Sequence, residues 1–189
     1  MFGNSKIITL MAFTFLFAFT ACDDNDDVPE PDEAYFSMEV SGDMELELDG
    51  QVFYADYFDP EFSEDIFLLN MLPKTEQSAN LMFIMRGGRP GTGSYPIVLH
   101  DEYEAGGFLD DAFVSKFSLQ MEEGEVPAMY FFEATDGNIG FEESSDEFVS
   151  GSFEYEATGG NVHDETSDKE VVISGTFSAP RANVEDIDP

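Results

Sequence analysis

The sequence predicts an all-β protein, a single antiparallel β-sandwich or barrel-like domain of about nine strands. Short runs of alternating apolar and polar residues, rich in aromatic and β-branched side chains, recur between turn-forming residues. No segment keeps the apolar spacing of about 3.6 residues that an amphipathic helix requires. With 20 Phe and 7 Tyr, the chain carries enough large apolar side chains to fill one core.

The composition divides the chain into four parts. We expect a lipoprotein signal peptide over 1–21, an acidic and Pro-rich tether over 22–34, the β-domain over 35–180 and a flexible C-terminal tail over 181–189. The uncharged run of residues 7–21 follows Lys6 and is shorter than the roughly 20 apolar residues of a transmembrane helix. A short apolar run behind a basic start is typical of a secretory leader.

The leader ends in Phe19-Thr20-Ala21-Cys22, which resembles the lipobox of bacterial lipoproteins, although Phe19 stands where Leu is usual. This resemblance implies cleavage before Cys22 and acylation of its thiol, so that the lipid bilayer is a partner. The acidic run at 23–27 is similar to the one that follows the cysteine in surface-exported Bacteroidota lipoproteins. We therefore expect an outer-membrane lipoprotein. The run indicates either surface exposure or a linker that keeps the domain away from anionic lipid.

Alternation and turn signals locate the strands of the domain. Asp49-Gly50 predicts a two-residue hairpin, Asp136-Gly137-Asn138 predicts a turn, and Pro96 indicates an edge strand or a strand start. Residues 101–111 have room for one short turn of helix. The strands are expected at 44–48, 51–55, 66–72, 81–86, 95–100, 116–122, 128–135, 147–155 and 171–177.

A short motif occurs twice, as Ser150-Gly151-Ser152-Phe153 and as Ser174-Gly175-Thr176-Phe177. The simplest interpretation is a pair of antiparallel neighbours joined by a polar loop. This pair, a start of the form Asp-Gly-Gln-Val-Phe at 49–53 and the Gly-x-Gly-x-Tyr pattern at 91–95 together resemble small Bacteroidota lipoproteins of unassigned function. The resemblance covers most of 44–179 and implies no catalytic residue.

Charge and composition exclude several classes of function. The chain has 41 Asp+Glu against 7 Lys+Arg, a formal charge of −34, which repels nucleic acid because binding to phosphates needs basic side chains. One Cys excludes a disulfide framework, and the presence of only two His argues against a His-rich metal site. Such an acid excess is also typical of proteins adapted to a saline medium, because salt screens the self-repulsion.

We expect no cofactor, with calcium as the one alternative, because clustered loop carboxylates are ligands that calcium prefers. The opposing interpretation is a solvated acidic surface, since acidic clusters arise readily by chance in such a chain. The candidate ligands are Asp56, Asp59, Glu61, Asp101, Glu102, Asp110 and Asp111.

The loop from Arg86 to Gly93 holds the candidate anion-binding residues, Arg86 and Arg89. A glycine-rich loop can cradle a phosphate with its backbone amides, but no Walker-type lysine or following helix is present in the sequence. The alternative is a hairpin turn whose arginines pair with acids. His100 and His163 are expected in exposed loops, and the sequence contains no Gly-x-Ser-x-Gly motif.

These observations favour a membrane-anchored envelope lipoprotein with a non-catalytic β-domain that binds a glycan or an envelope protein. Two alternatives remain open at this stage. One is a secreted carboxylate-dependent glycan hydrolase, since paired acids can cleave glycosidic bonds. The other is a calcium-stabilised adhesion module.

Overall fold

The computed structural model describes residues 34–60, 63–74, 78–99, 111–123, 126–164 and 168–182. These residues form nine strands in one antiparallel sheet, as the sequence predicts for the fold class. The predicted leader, Cys22 and most of the predicted tether lie outside the described residues. The strands are β1 (Tyr35–Gly42), β2 (Leu46–Asp59), β3 (Glu64–Pro73), β4 (Ala79–Arg86), β5 (Gly93–Val98), β6 (Val114–Glu123), β7 (Val126–Ser144), β8 (Phe148–Asn161) and β9 (Lys169–Pro180).

The sheet closes on itself. Its strand order is β5-β7-β6-β4-β3-β2-β1-β9-β8, and β7 also pairs with β8, so eight strands form a ring and β5 lies outside it. Of the two architectures that the sequence leaves open, the structure is the barrel-like one. Antiparallel neighbours place the start of β1, the end of β9 and the β2–β3 and β7–β8 connections at one end of the barrel, the N-terminal end.

Strand β7 is the long element that makes this closure possible. One of its edges pairs first with β6 and then, over Asp136–Phe141, with β5, while the other edge pairs with β8. The turn predicted at 136–138 is therefore wrong. Gly137 lies inside the strand, where an added Cβ would collide with the backbone and Cβ of Tyr155. Register shifts on either side of this segment bend the strand.

The hairpin predicted at Asp49-Gly50 is also wrong, because β2 continues through it. Leu48, Gly50 and Val52 keep the inward phase of the alternation without a break. A Cβ at Gly50 would collide with the carbonyl oxygen of Leu72, so this glycine serves close strand approach rather than a turn. The true hairpin comes earlier, at Gly42 with φ of 106°, after a strand that the sequence analysis does not assign.

Aromatic side chains fill the barrel interior. Phe67 is fully buried and contacts Tyr54, Phe113 and Phe141 at ring-centroid distances of 5.6, 6.1 and 5.8 Å. Offset and edge-to-face pairs of this kind add to the stabilisation that burial provides. The inward side chains of the strands therefore pack into one hydrophobic core.

The duplicated motif is a reciprocal pair across β8 and β9, as the sequence predicts. Gly151 lies opposite Phe177, and Phe153 lies opposite Gly175. A Cβ at Gly175 would lie 2.7 Å from Phe153 Cζ, and one at Gly151 would lie 3.0 Å from Phe177 Cζ. Each phenyl ring therefore occupies the space that the missing side chain of the opposite glycine leaves.

Pairing continues past the predicted end of the domain at residue 180. The amide of Arg181 donates to the carbonyl of Glu147 at 2.9 Å, and the amide of Ala182 donates to the carbonyl of Tyr54 at 2.7 Å. The pairing of β1 with β2 ends at Phe36 and Gly50, which leaves the last part of β2 without that neighbour. The chain after β9 occupies part of this space.

Pro96 lies on the outer edge of β5, as predicted for an edge strand. Its carbonyl accepts from the amide of Phe113 at 2.9 Å, and the amide of Val98 donates to the carbonyl of Phe113 at 2.8 Å. Because the ring is closed and this edge is partly bonded, the described strands offer little room for addition of a partner strand.

Candidate functional site

Outward side chains of β8, β9, β1 and β2 form a polar surface that we call the hydroxyl array. The strand register aligns its members in three rows across the strands. The first row is Ser150–Ser178–Tyr35, the second is Ser152–Thr176–Ser37–Asp49, and the third is Glu154–Ser174–Glu39–Glu47.

The array follows from strand geometry. Side chains alternate between faces, so residues two apart share a face, and neighbouring strands lie about 4.8 Å apart. Thr176, for example, has Ser152 opposite it on one side and Ser37 on the other. Side chains of one row on adjacent strands therefore lie about 4.8 Å apart.

Two adjoining depressions lie over the array. One has a volume of about 490 Å³ and is lined by Ser37, Glu39, Asp49 and Ser174 among others. The other has about 430 Å³ and is lined by residues that include Phe148, Ser150 and Ser178. Tyr35 and Thr176 line both depressions, which we together call the groove. Glycine, serine and threonine, which have small side chains, are among the residues that line it.

Donors, acceptors and aromatic surface occur together in this groove. Serine and threonine hydroxyls both donate and accept hydrogen bonds, and the carboxylates on the rim accept them. Ser178 Oγ, in contrast, is shielded from solvent and has no hydrogen-bond partner among the described groups, so this hydroxyl is not open to a ligand in the structure. The half-buried side chains of Tyr35 and Phe148 supply apolar surface at the same place.

A second polar cluster lies at the N-terminal end. Arg89 Nη2 donates to Asp146 Oδ1 at 2.5 Å, and Arg89 Nη1 lies 3.9 Å from Asp56 Oδ2. Arg181 forms a further ion pair with Asp56. These contacts connect β2, the β7–β8 turn and the chain after β9.

The predicted anion-binding residues are thus engaged with acids. Arg89 has the partners just described, and Arg86 Nη1 lies 3.7 Å from Glu64 Oε2. The amides of Gly87 and Gly88 both donate to the carbonyl of Asp65, at 2.9 and 3.3 Å, so they do not point into a phosphate cradle. The loop is not a hairpin turn either, because β4 pairs with β6 and β5 pairs with β7.

Four described groups have displaced pKa values, among them Arg89, whose pKa is raised by its hydrogen bond to Asp146. The hydrogen bond from Arg89 lowers the pKa of Asp146. Burial raises the pKa of Tyr54, whose hydroxyl donates to the carbonyl of Ser145 at 2.8 Å. Burial also raises the pKa of Tyr155, and neighbouring Ser115 offsets part of this rise. The Tyr155 and Ser115 hydroxyls lie in the interior without good hydrogen-bond geometry to any described group.

The candidate calcium ligands fall in different places. Asp56 is paired with arginines, Asp59 ends β2, and Asp111 is exposed with φ of 66°. Within the described ranges, no three acidic, histidine or cysteine side chains form a group that could hold a metal ion. The remaining candidates, Glu61, Asp101, Glu102 and Asp110, lie outside the described residues.

The described histidine is exposed, as expected. His163 lies in the turn between β8 and β9, where its amide donates to Asn161 Oδ1 at 3.0 Å. His100 lies outside the described residues.

The sequence analysis did not single out the hydroxyl array. The period-two pattern of serine and threonine at 150, 152, 174, 176 and 178 was the available signal. The glycine and phenylalanine of the repeated motif are the residues that pack. The hydroxyls between them point outward.

Comparison of the chain with protein-family models, with curated proteins and with solved structures gives no match. No helix in the described part of the chain is both long enough and apolar enough to span a bilayer.

Proposed function

We propose that the chain is an envelope lipoprotein, anchored through acylated Cys22 and displayed at the outer membrane, whose barrel binds a glycan on the hydroxyl array without catalysing a reaction. The observation that carries the binding proposal is the array itself, three rows of hydroxyls and carboxylates beneath the two adjoining depressions of the groove. Sugars present hydroxyls that donate and accept in turn, and the array offers both functions at every row.

Charge narrows the class of glycan. A protein with a formal charge of −34 repels polyanions, and Glu39, Glu47, Asp49 and Glu154 belong to the array. The favoured ligand is therefore a neutral glycan or one that carries amino groups. Tyr35 and Phe148 provide apolar surface for the carbon faces of sugar rings.

Binding is tested with the full chain on a panel of neutral, amine-bearing and acidic glycans, followed by calorimetry on those retained. Thr176→Val removes a hydroxyl from the centre of the array and keeps the shape of the side chain. Thr158→Val is the matched control, because Thr158 is an exposed threonine on β8 outside the array. Losing one hydrogen bond of about 0.5–1.5 kcal/mol weakens the Kd about 2- to 12-fold.

The expected result is weaker binding by the Thr176→Val variant and unchanged binding by the Thr158→Val variant. Equal affinities of the two variants, or no retained glycan, would contradict binding at the array. Shortened glycan products in the same mixtures would favour the hydrolase alternative instead. A rise in thermal midpoint with calcium, absent with magnesium at equal ionic strength, would favour the calcium-stabilised module.

The anchor has its own test. Labelled fatty acid is expected to enter the full chain in a bacterial host that acylates lipoproteins, and Cys22→Ala should abolish the label and release the protein from the membrane fraction. Label retained by the Cys22→Ala variant would refute acylation at this residue, since Cys22 is the one cysteine in the sequence.

A further inference from the structure

Two large apolar side chains stand exposed at the end of β2. Tyr57 is 43% exposed and Phe58 is 60% exposed, the highest value among the large apolar residues of the described chain. They lie beyond Gly50, where the pairing of β2 with β1 stops. Burial of apolar surface is favourable, so these two exposed side chains are available to contact an apolar surface.

These side chains lie at the N-terminal end of the barrel, the same end at which the chain enters at Ala34. The chain from Cys22 to Ala34 spans at most about 40 Å when fully extended. An acylated Cys22 would therefore keep this end within about 40 Å of the bilayer, which allows the exposed aromatics to reach it.

Charge at this end is partly neutralised. All three arginines of the chain lie there, and each is paired with an acid: Arg86 with Glu64, Arg89 with Asp146 and Arg181 with Asp56. Ion pairing lowers the repulsion that unpaired carboxylates would meet at a phosphate-bearing surface. Lys74 and Lys169, in contrast, lie at the opposite end, next to the β3–β4 and β8–β9 connections.

We propose that Tyr57 and Phe58 dock the N-terminal end of the barrel onto the lipid surface, so that the anchored domain holds a fixed orientation with the hydroxyl array to the side. Tyrosine, with an apolar ring and a polar hydroxyl, favours the interface between water and lipid, and the phenyl ring of Phe58 adds apolar area beside Tyr57. A tether makes the contact intramolecular, with an effective concentration in about the millimolar range, so that even a weak contact is populated. This inference rests on the proposed anchor at Cys22.

The chain lacks tryptophan, which gives a direct test. Phe58→Trp places a single fluorophore at the proposed contact. Phe131→Trp is the matched control. Phe131 is exposed to a similar degree, 50%, but it lies on the half of β7 that pairs with β6, towards the opposite end of the barrel. Each full-length variant is reconstituted into phosphatidylcholine vesicles with and without bromine on the acyl chains.

Brominated lipid should remove most of the emission of the Phe58→Trp variant and shift it to shorter wavelength, and should leave the Phe131→Trp variant unchanged. Equal quenching of the two, or stronger quenching at 131, would overturn the proposed orientation. If the cell leaves Cys22 unacylated, its thiol is coupled to a maleimide lipid before reconstitution. Docking is then measured independently, and failure of the anchor is not mistaken for failure of docking.

Discussion

Replacing Gly175 with alanine should destabilise the barrel through a steric conflict that the structure locates. The added Cβ would lie 2.7 Å from Phe153 Cζ and 2.9 Å from Met38 Cβ, and would collide with the carbonyl oxygen of Ser37. The carbonyl belongs to the β1–β9 pairing and moves only if the strands separate. Relief therefore requires a shift of backbone as well as of the ring.

The magnitude follows from two opposing effects. Overpacking a tight site costs about 1–3 kcal/mol, whereas replacing glycine by alanine lowers the entropy of the unfolded chain and returns about 0.4–1 kcal/mol. The net expectation is a loss of about 1–2 kcal/mol in the free energy of unfolding. For a domain of this size, that loss of free energy corresponds to a thermal unfolding midpoint lower by about 2–8 °C.

Urea denaturation followed by circular dichroism measures this change, and Gly91→Ala is the control. A Cβ at Gly91 would meet only Tyr95 Oη, at 3.7 Å, so that variant should be neutral or slightly stabilised. Adding Phe153→Leu to Gly175→Ala should cost less than the sum of the two single changes, because leucine lacks the Cζ atom. Equal midpoints of the Gly175→Ala and Gly91→Ala variants would refute the steric reasoning.

Three further predictions concern titration and salt. Tyr155→Phe should leave the urea midpoint at pH 7 equal or higher, because it removes a buried hydroxyl without a good partner. It should also reduce the loss of stability above pH 10.0, where the tyrosine of the unfolded chain ionises while burial keeps the folded one protonated. Arg89→Gln should return the pKa of Asp146 towards 3.8, as followed by NMR; in the unmodified chain the stability from this contact is complete above that pH and is lost as the pH falls through the lowered value. The urea midpoint should rise with NaCl, since salt screens the repulsion of a formal charge of −34, and an unchanged midpoint would count against salt adaptation.

Local pattern predicted the strands well where one face is buried. Alternation at Leu48, Val52 and Phe117 and the edge position of Pro96 both follow from rules that act over a few residues. The failures at Asp49-Gly50 and Asp136-Gly137 have one cause. Both pairs have turn composition, but strand pairing retained them as extended backbone because each glycine lies where a second strand approaches too closely for a side chain.

Closure and the sites depend on contacts that local pattern does not encode. β7 pairs with three strands, and its bond to β8 completes the ring only because shifted register lets it bend. Arg89 and Asp146 are 57 residues apart in sequence, and the second row of the hydroxyl array needs residues from four strands in a register known only after pairing. The sequence shows which positions are serine, but it does not predict which residues of other strands lie beside them.

The outward residues of β8, β9 and β1, which carry the hydroxyl array, differ in character from those of β3 and β4. Every strand gives its inward positions to the core, so only outward positions are free to differ between one side of the barrel and the other. On β3 and β4 the outward residues include Leu68, Leu72 and Ile84, which extend the apolar character of the interior to the outside. On β8, β9 and β1 the same positions are mainly serine, threonine and glutamate, with Tyr35, Phe148 and Val172 among them. Packing into the interior does not require hydroxyls at these outward positions, and the glycan binding proposed above would account for them.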